Sequence, residues 1–195
     1  AEDLRRIARK GLRYLGFTHE TGPPDCVRPD AGWGGSGKKW GERGLTFFHA
    51  SQCGRTIASL ALTAALIRDL LSDEDRGMLA AIAADYLEQF GEMPPKSGVF
   101  HDTQTEENAW TALGLASSLT LLPNHPRRAE WWETAKLWMF RTLTRPEDSF
   151  DSAPFADGKT VRDLCRGSYT TLPDGVSENH GFVHPSYMGS GIVTP

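Results

Sequence analysis

The sequence predicts an all-α chain built from helical hairpins joined by long loops. Apolar residues recur at helical spacing or in Ala/Leu-rich blocks over residues 3–15, 50–71 and 105–122. An apolar, small-residue stretch is twice followed by a more polar, amphipathic one, as in an inner helix followed by an outer helix. Stretches dense in Pro and Gly, which do not propagate a helix, separate these blocks.

At 195 residues, 39% apolar and 24% charged, the chain reads as one globular domain over 1–195. A net charge of −4, from 21 basic against 25 acidic residues, offers no overall attraction for nucleic acid or an anionic membrane. The most apolar stretch, Ile57 to Leu71, is broken by Arg68 and Asp69 and falls short of the ~18 residues of a membrane helix, so a soluble protein is expected. The opening Ala1-Glu2-Asp3-Leu4-Arg5-Arg6 lacks the basic-then-apolar order of a secretory signal. Cys26, Cys53 and Cys165 form no CxxC pair, and their odd number argues against a disulfide framework.

The first helix places Leu4, Ile7, Ala8, Leu12 and Leu15 on one face, with Gly16 as a stop. About thirty residues of loop follow, including Gly22-Pro23-Pro24 and Gly32-Trp33-Gly34-Gly35-Ser36-Gly37. A buried helix is expected from Ala50 to Leu71, and Ser72 then starts another that runs to Gln89, with Gly91 beyond it. These two are expected to form a tight hairpin. The second hairpin pairs Thr105–Leu122 with Arg127–Leu143 across Pro123-Asn124-His125-Pro126. Residues 145–179 read as loop with a short helical turn near Val161–Cys165, and any helix beyond Gly181 is short.

Three constellations carry candidate chemistry. The first, His101 to Trp110, runs into an apolar helix. Asp102 or Thr103 is expected to cap that helix and Glu106 and Glu107 to favour its positive end. Asn108 needs a partner on an apolar face, and Trp110 offers a platform for a sugar ring. The second, Ser177-Glu178-Asn179-His180-Gly181-Phe182-Val183-His184-Pro185-Ser186-Tyr187, packs an amide, two imidazoles, a carboxylate and a phenol together. The third joins Trp33, Lys38, Lys39 and Trp40 to His49 and Gln52. Its glycines lack the Walker spacing, whereas indoles and ammonium groups suit an acidic carbohydrate. His180 and His184 have i,i+4 spacing, but Gly181 and Pro185 oppose a continuous helix and no HExxH pattern is present, so no metal or cofactor is expected.

Helical hairpins with inner and outer members look like part of an α/α toroid, and Asn179-His180-Gly181 resembles the asparagine–histidine motif of heparinase II/III-type and related alginate lyases. The resemblance implies β-elimination at a uronic acid. Asn179 would neutralise the sugar carboxylate, His180 would act as base or charge stabiliser, and Tyr187 is the candidate for the family's tyrosine, though closer to the motif than is customary. Trp33, Lys38, Lys39, Trp40, His49, Gln52, Asp102, Glu106, Glu107, Asn108, Trp110, Glu178 and His184 are the expected substrate-binding set. The family also carries a following β-rich region and acts in the periplasm or outside the cell. A protein outside that family would be expected in the cytoplasm.

A closed toroid of about twelve helices, at roughly 12 residues each plus loops, exceeds this length. The chain therefore reads as an N-terminal part of a toroid completed by further sequence or a partner, or as a smaller helical domain. A glycoside hydrolase using Asp102, Glu106, Glu107 or Glu178, and a noncatalytic glycan-binding or interaction module, remain as alternative functions.

Overall fold

Local chemistry sets the helix boundaries in the computed structural model, which describes residues 2–27, 39–44 and 47–193. Among the described residues, seven α-helices run in the order α1 (Glu2–Thr18), α2 (Phe47–Leu66), α3 (Asp73–Phe90), α4 (Thr105–Leu121), α5 (Arg128–Phe140), α6 (Val161–Cys165) and α7 (Pro185–Val193). A 3-10 turn spans Pro146–Phe150. Two short antiparallel hairpins pair β1 (Pro154–Ala156) with β2 (Lys159–Thr160), and β3 (Glu178–Asn179) with β4 (Phe182–Val183). None of the helices among the described residues is long and apolar enough to cross a membrane.

Ser72 starts α3 through a capping box: its hydroxyl accepts the Asp75 N–H at 3.2 Å, and the Asp75 carboxylate accepts the Ser72 N–H at 3.0 Å. The same buried carboxylate receives Arg9 at 2.8 Å and Arg13 at 2.5 Å, tying α1 to α3. Burial alone would raise the Asp75 carboxyl. The Ser72 N–H and the two guanidinium groups outweigh it and hold the group at about 2.

Helix α1 departs from its expected form in two respects. It runs through Gly16 to Thr18, since Gly16 does not adopt the left-handed conformation of a helix stop, and the Met78 side chain of α3 packs against its backbone. Of its apolar stripe, Leu12 is buried, whereas Leu4 and Ile7 stay exposed because only the C-terminal half of the helix meets the core.

The core joins Ile57 and Leu60 of α2, Ile82, Tyr86 and Phe90 of α3, Leu115 and Leu119 of α4, and Trp131 and Trp138 of α5. Helix α4 is its centre, packing against α2, α3, α5 and α7. This corrects the expected tight α2–α3 hairpin: those two helices touch little, and each packs chiefly on α4. The cause is a crossing of two glycines. A Cβ on Gly114 would lie 2.6 Å from the Gly54 Cα and 2.5 Å from the Tyr86 ring, so α2 and α4 approach backbone to backbone beneath the tyrosine. The expected α4–α5 hairpin does form.

A methyl group at that crossing has nowhere to go. Gly114→Ala is expected to cost about 1–3 kcal/mol in urea unfolding by overpacking. Gly77→Ala, at an exposed α3 position where an added Cβ meets nothing within 4 Å, should stabilise by about 0.5–1 kcal/mol.

Candidate functional site

Residues 99–105 fold as a tight reversal ahead of α4. Val99 and Asp102 exchange backbone hydrogen bonds of 2.8 and 3.0 Å, with His101 at φ 65°. Asp102 does not cap α4, nor does Thr103. The Asp102 carboxylate accepts from the Gln104 backbone N–H at 3.0 Å and from its side-chain amide at 2.6 Å, and Gln104, itself at φ 60°, occupies the N-cap without a side-chain bond.

The second constellation is zipped onto this reversal. Thr103 N–H donates to Glu178 O at 2.8 Å, Glu178 N–H to Thr103 Oγ1 at 3.1 Å, and Gly181 N–H to His101 O at 3.0 Å. Asp102 and Asn179 form an antiparallel bridge. Beneath them Thr105 Oγ1 lies 2.9 Å from Ser177 Oγ and donates to the Thr170 carbonyl.

Asn179-His180-Gly181 is therefore part of a hairpin, not of a loop running straight into a helix. His180 at φ 53° and Gly181 at φ 81° are the two left-handed residues of the β3–β4 turn, the geometry that suits the right-handed twist of paired strands. Asn179 is buried, and His180 is exposed at the turn. His184 lies outside the turn, ahead of α7, so the two histidines do not share a helical face.

Pro185, with φ preset for a first helical position, opens α7 and brings Tyr187 inward. The His184 ring stacks on Tyr187 at 4.0 Å and 16°, and His184 Nδ1 meets Ser186 Oγ at 2.7 Å. The Tyr187 phenol interacts with both Glu106 and Asn179. Burial and then the Glu106 carboxyl push it up to about 12, against the pull of Asn179. At neutral pH it is a proton donor.

Glu106 and Glu107 are each about 5% exposed. Burial raises Glu106 to about 6, opposed by the Tyr187 phenol and the Arg55 guanidinium. Burial raises Glu107 to about 7, with Asp102 and Glu106 adding to the effect against a backbone hydrogen bond. Glu106, Trp110 and Tyr187 line a cavity of about 570 Å³ together with Arg55 and Ser59 of α2 and Ser190 of α7. The Arg55 guanidinium lies 4.8 Å over the Trp110 ring.

No protein-family model, curated protein or solved structure matches this chain. The site accordingly rests on its own geometry.

That geometry unites Asp102, Glu106, Glu107, Trp110, Asn179, His184 and Tyr187. Glu178 stands at the edge, 3.3 Å from His101 Nδ1. Asn108 does not belong to the site. Its amide accepts from Lys96 N–H at 3.1 Å and donates to the carbonyls of Lys96 at 2.9 Å and Arg141 at 3.0 Å, so it is the polar staple that holds two loops against α4. Lys39 and Trp40 close the end of α1. Lys39 Nζ donates to the carbonyls of Pro23 at 2.6 Å and of His19 and Gly22 at 3.0 Å, while Trp40 is buried against His19 with its indole N–H on Leu15 O at 2.7 Å. Gln52 and His49 lie on α2 ahead of Arg55 and do not line the cavity. Trp33 and Lys38 fall outside the described residues.

Arg55 is the functional candidate that the motif reading missed. Its signal is legible in hindsight: it is the only Lys, Arg, Asp or Glu between Phe47 and Leu66.

A carboxyl raised in the fold supports folding fully below its unfolded value of about 4.5, and that support is lost as pH rises through about 7. Glu107→Gln should therefore remove a fall in stability on the order of 2–3 kcal/mol between those limits. The check is the wild-type minus variant difference in urea unfolding across pH 4 to 8. Parallel curves would refute the burial of an ionisable Glu107.

Proposed function

We propose that this chain is a polysaccharide lyase, or part of one, performing β-elimination on a uronic-acid-containing glycan within a partial α/α toroid. The observation that carries the reading is the convergence of the Asn179 amide and a protonated Tyr187 beside a cavity walled by Trp110. For the toroid, the support is that the two apolar helices α2 and α4 pack side by side and that α5 pairs with α4 as its outer partner.

In this mechanism the Asn179 amide donates to the sugar carboxylate, and the charge that develops there when the adjacent carbon loses its proton meets a donor already in place. His180, next to Asn179 on the open side of the turn, takes that proton. The electron pair forms the carbon–carbon double bond, the bond to the glycosidic oxygen breaks, and Tyr187 protonates the departing oxygen. The elevated phenol suits a donor and not a base.

Glycoside hydrolysis is the second reading, favoured by the raised carboxyls of Glu106 and Glu107. Hydrolysis requires two carboxyl groups facing each other across the bond, about 5–9.5 Å apart. Successive residues of one helix point about 100° apart, which disfavours that pairing.

The test is incubation with alginate, pectate and glucuronate-containing glycosaminoglycans, following the ultraviolet absorbance of an unsaturated uronate. The lyase reading expects such a product from at least one of them, with Asn179→Ala and Tyr187→Phe each lowering the rate about 100-fold or more. New reducing ends without that absorbance would move the assignment to hydrolysis. Glycan binding without turnover would move it to a binding module.

A further inference from the structure

The α2–α4–α7 cavity contains features that the elimination chemistry does not use. Arg55 projects from an otherwise uncharged helix, lies over Trp110, and forms no ion pair with a carboxylate among the described residues. Glu106 sits beside it at 5% exposure, and its Oε2 is buried without a hydrogen-bond partner. A buried carboxylate oxygen left unpaired is costly, and a ligand hydroxyl is the kind of group that satisfies it. Leu62, Leu113 and Trp110 supply apolar wall, and about 570 Å³ falls within the ~300–1,000 Å³ of small-molecule sites.

Cation, buried acceptor and apolar wall together match a sugar acid: a carboxylate for the guanidinium, a ring hydroxyl for Glu106, and ring C–H groups for the wall. Tyr187 lines this cavity and also meets Asn179. The phenol thus stands at the boundary between the cavity and the position where Asn179 holds a carboxylate, which is where the oxygen joining two sugars would lie.

We propose that the cavity is a second sugar position, selective for an acidic residue, in which Arg55 pairs with the carboxylate and Glu106 Oε2 accepts from a ring hydroxyl. This deepens the saccharide reading above and rests on it. The ligand then spans at least two adjacent sugar units, the acidic one in the cavity being recognised by Arg55 and the other by Asn179.

The test uses glucuronic acid and glucose, which contain no bond to cleave, titrated into the protein while the Trp110 indole N–H is followed by NMR. Glucuronic acid is expected to shift that resonance and to bind at least tenfold more tightly than glucose. A charge-assisted pair of about 1.5–3 kcal/mol corresponds to roughly ten- to a hundredfold. Arg55→Gln should abolish the preference, the affinity for glucuronic acid falling to that for glucose, and Arg55→Lys should restore part of it. Since Arg55 is exposed, neither variant removes core packing, and unchanged amide spectra would show that the fold is intact. Equal affinity for the two sugars, an unmoved Trp110 resonance, or a preference that survives in Arg55→Gln would overturn the proposal. Arg55-dependent binding without any unsaturated product would remove the lyase chemistry and leave the cavity assignment standing. Turnover without Arg55-dependent preference would do the reverse.

Discussion

Gly54 against Gly114 beneath the Tyr86 ring lets the backbones of α2 and α4 come close, so that the two helices share one wall of side chains. The contact brings α2 and α4 together just C-terminal to Glu106 and Trp110 and one residue before Arg55. From it follow the position of Arg55 over Trp110, the wall that α2 lends the cavity, and the burial that raises the two glutamates. Tyr86, whose phenol burial pushes above its ordinary value, acts there as packing surface.

Around that crossing, successive residues of one helical turn meet different fates because each faces a different neighbour. Glu106 turns to the cavity and α7, Glu107 is buried among carboxyls, and Asn108 faces the loops carrying Lys96 and Arg141. The polar groups balance differently as well. Asn108 is satisfied by three backbone partners, whereas Glu106 keeps one oxygen unpaired. Most buried polar groups in a folded protein have a hydrogen-bond partner. A buried acceptor left incomplete at a cavity points to a ligand.

Much of the helical framework is legible in the sequence because its signals are local. Ser72 and Asp75 make their capping box within four residues, and the short helix Val161–Cys165 lies within the bounds expected of it. Packing partners are less legible. Nothing in the order of the helices tells that α2 prefers α4 to α3, because that depends on two glycines 60 residues apart meeting in space. The same limit governs the site. The His101–Trp110 and Ser177–Tyr187 segments stand out by composition, but their union depends on hydrogen bonds such as Thr103 to Glu178 that no periodicity encodes. Lys39 and Trp40 resemble sugar-binding residues by type, yet their polar atoms are already bonded to main-chain carbonyls. Residue type shows what a side chain is able to do, and only its neighbours show whether it is already engaged.

Glu106 and Tyr187, from segments 81 residues apart, interact at one site, the phenol lowering the carboxyl that burial raises. A carbon-13 NMR titration of the Glu106 carboxyl, assigned with Glu106→Gln and repeated in Tyr187→Phe, tests it most directly. A midpoint near 6 is expected in the wild type and a higher one in the variant, because the phenol stabilises the ionised carboxylate. A midpoint at the ordinary 4.5 that does not move when the phenol is removed would contradict it.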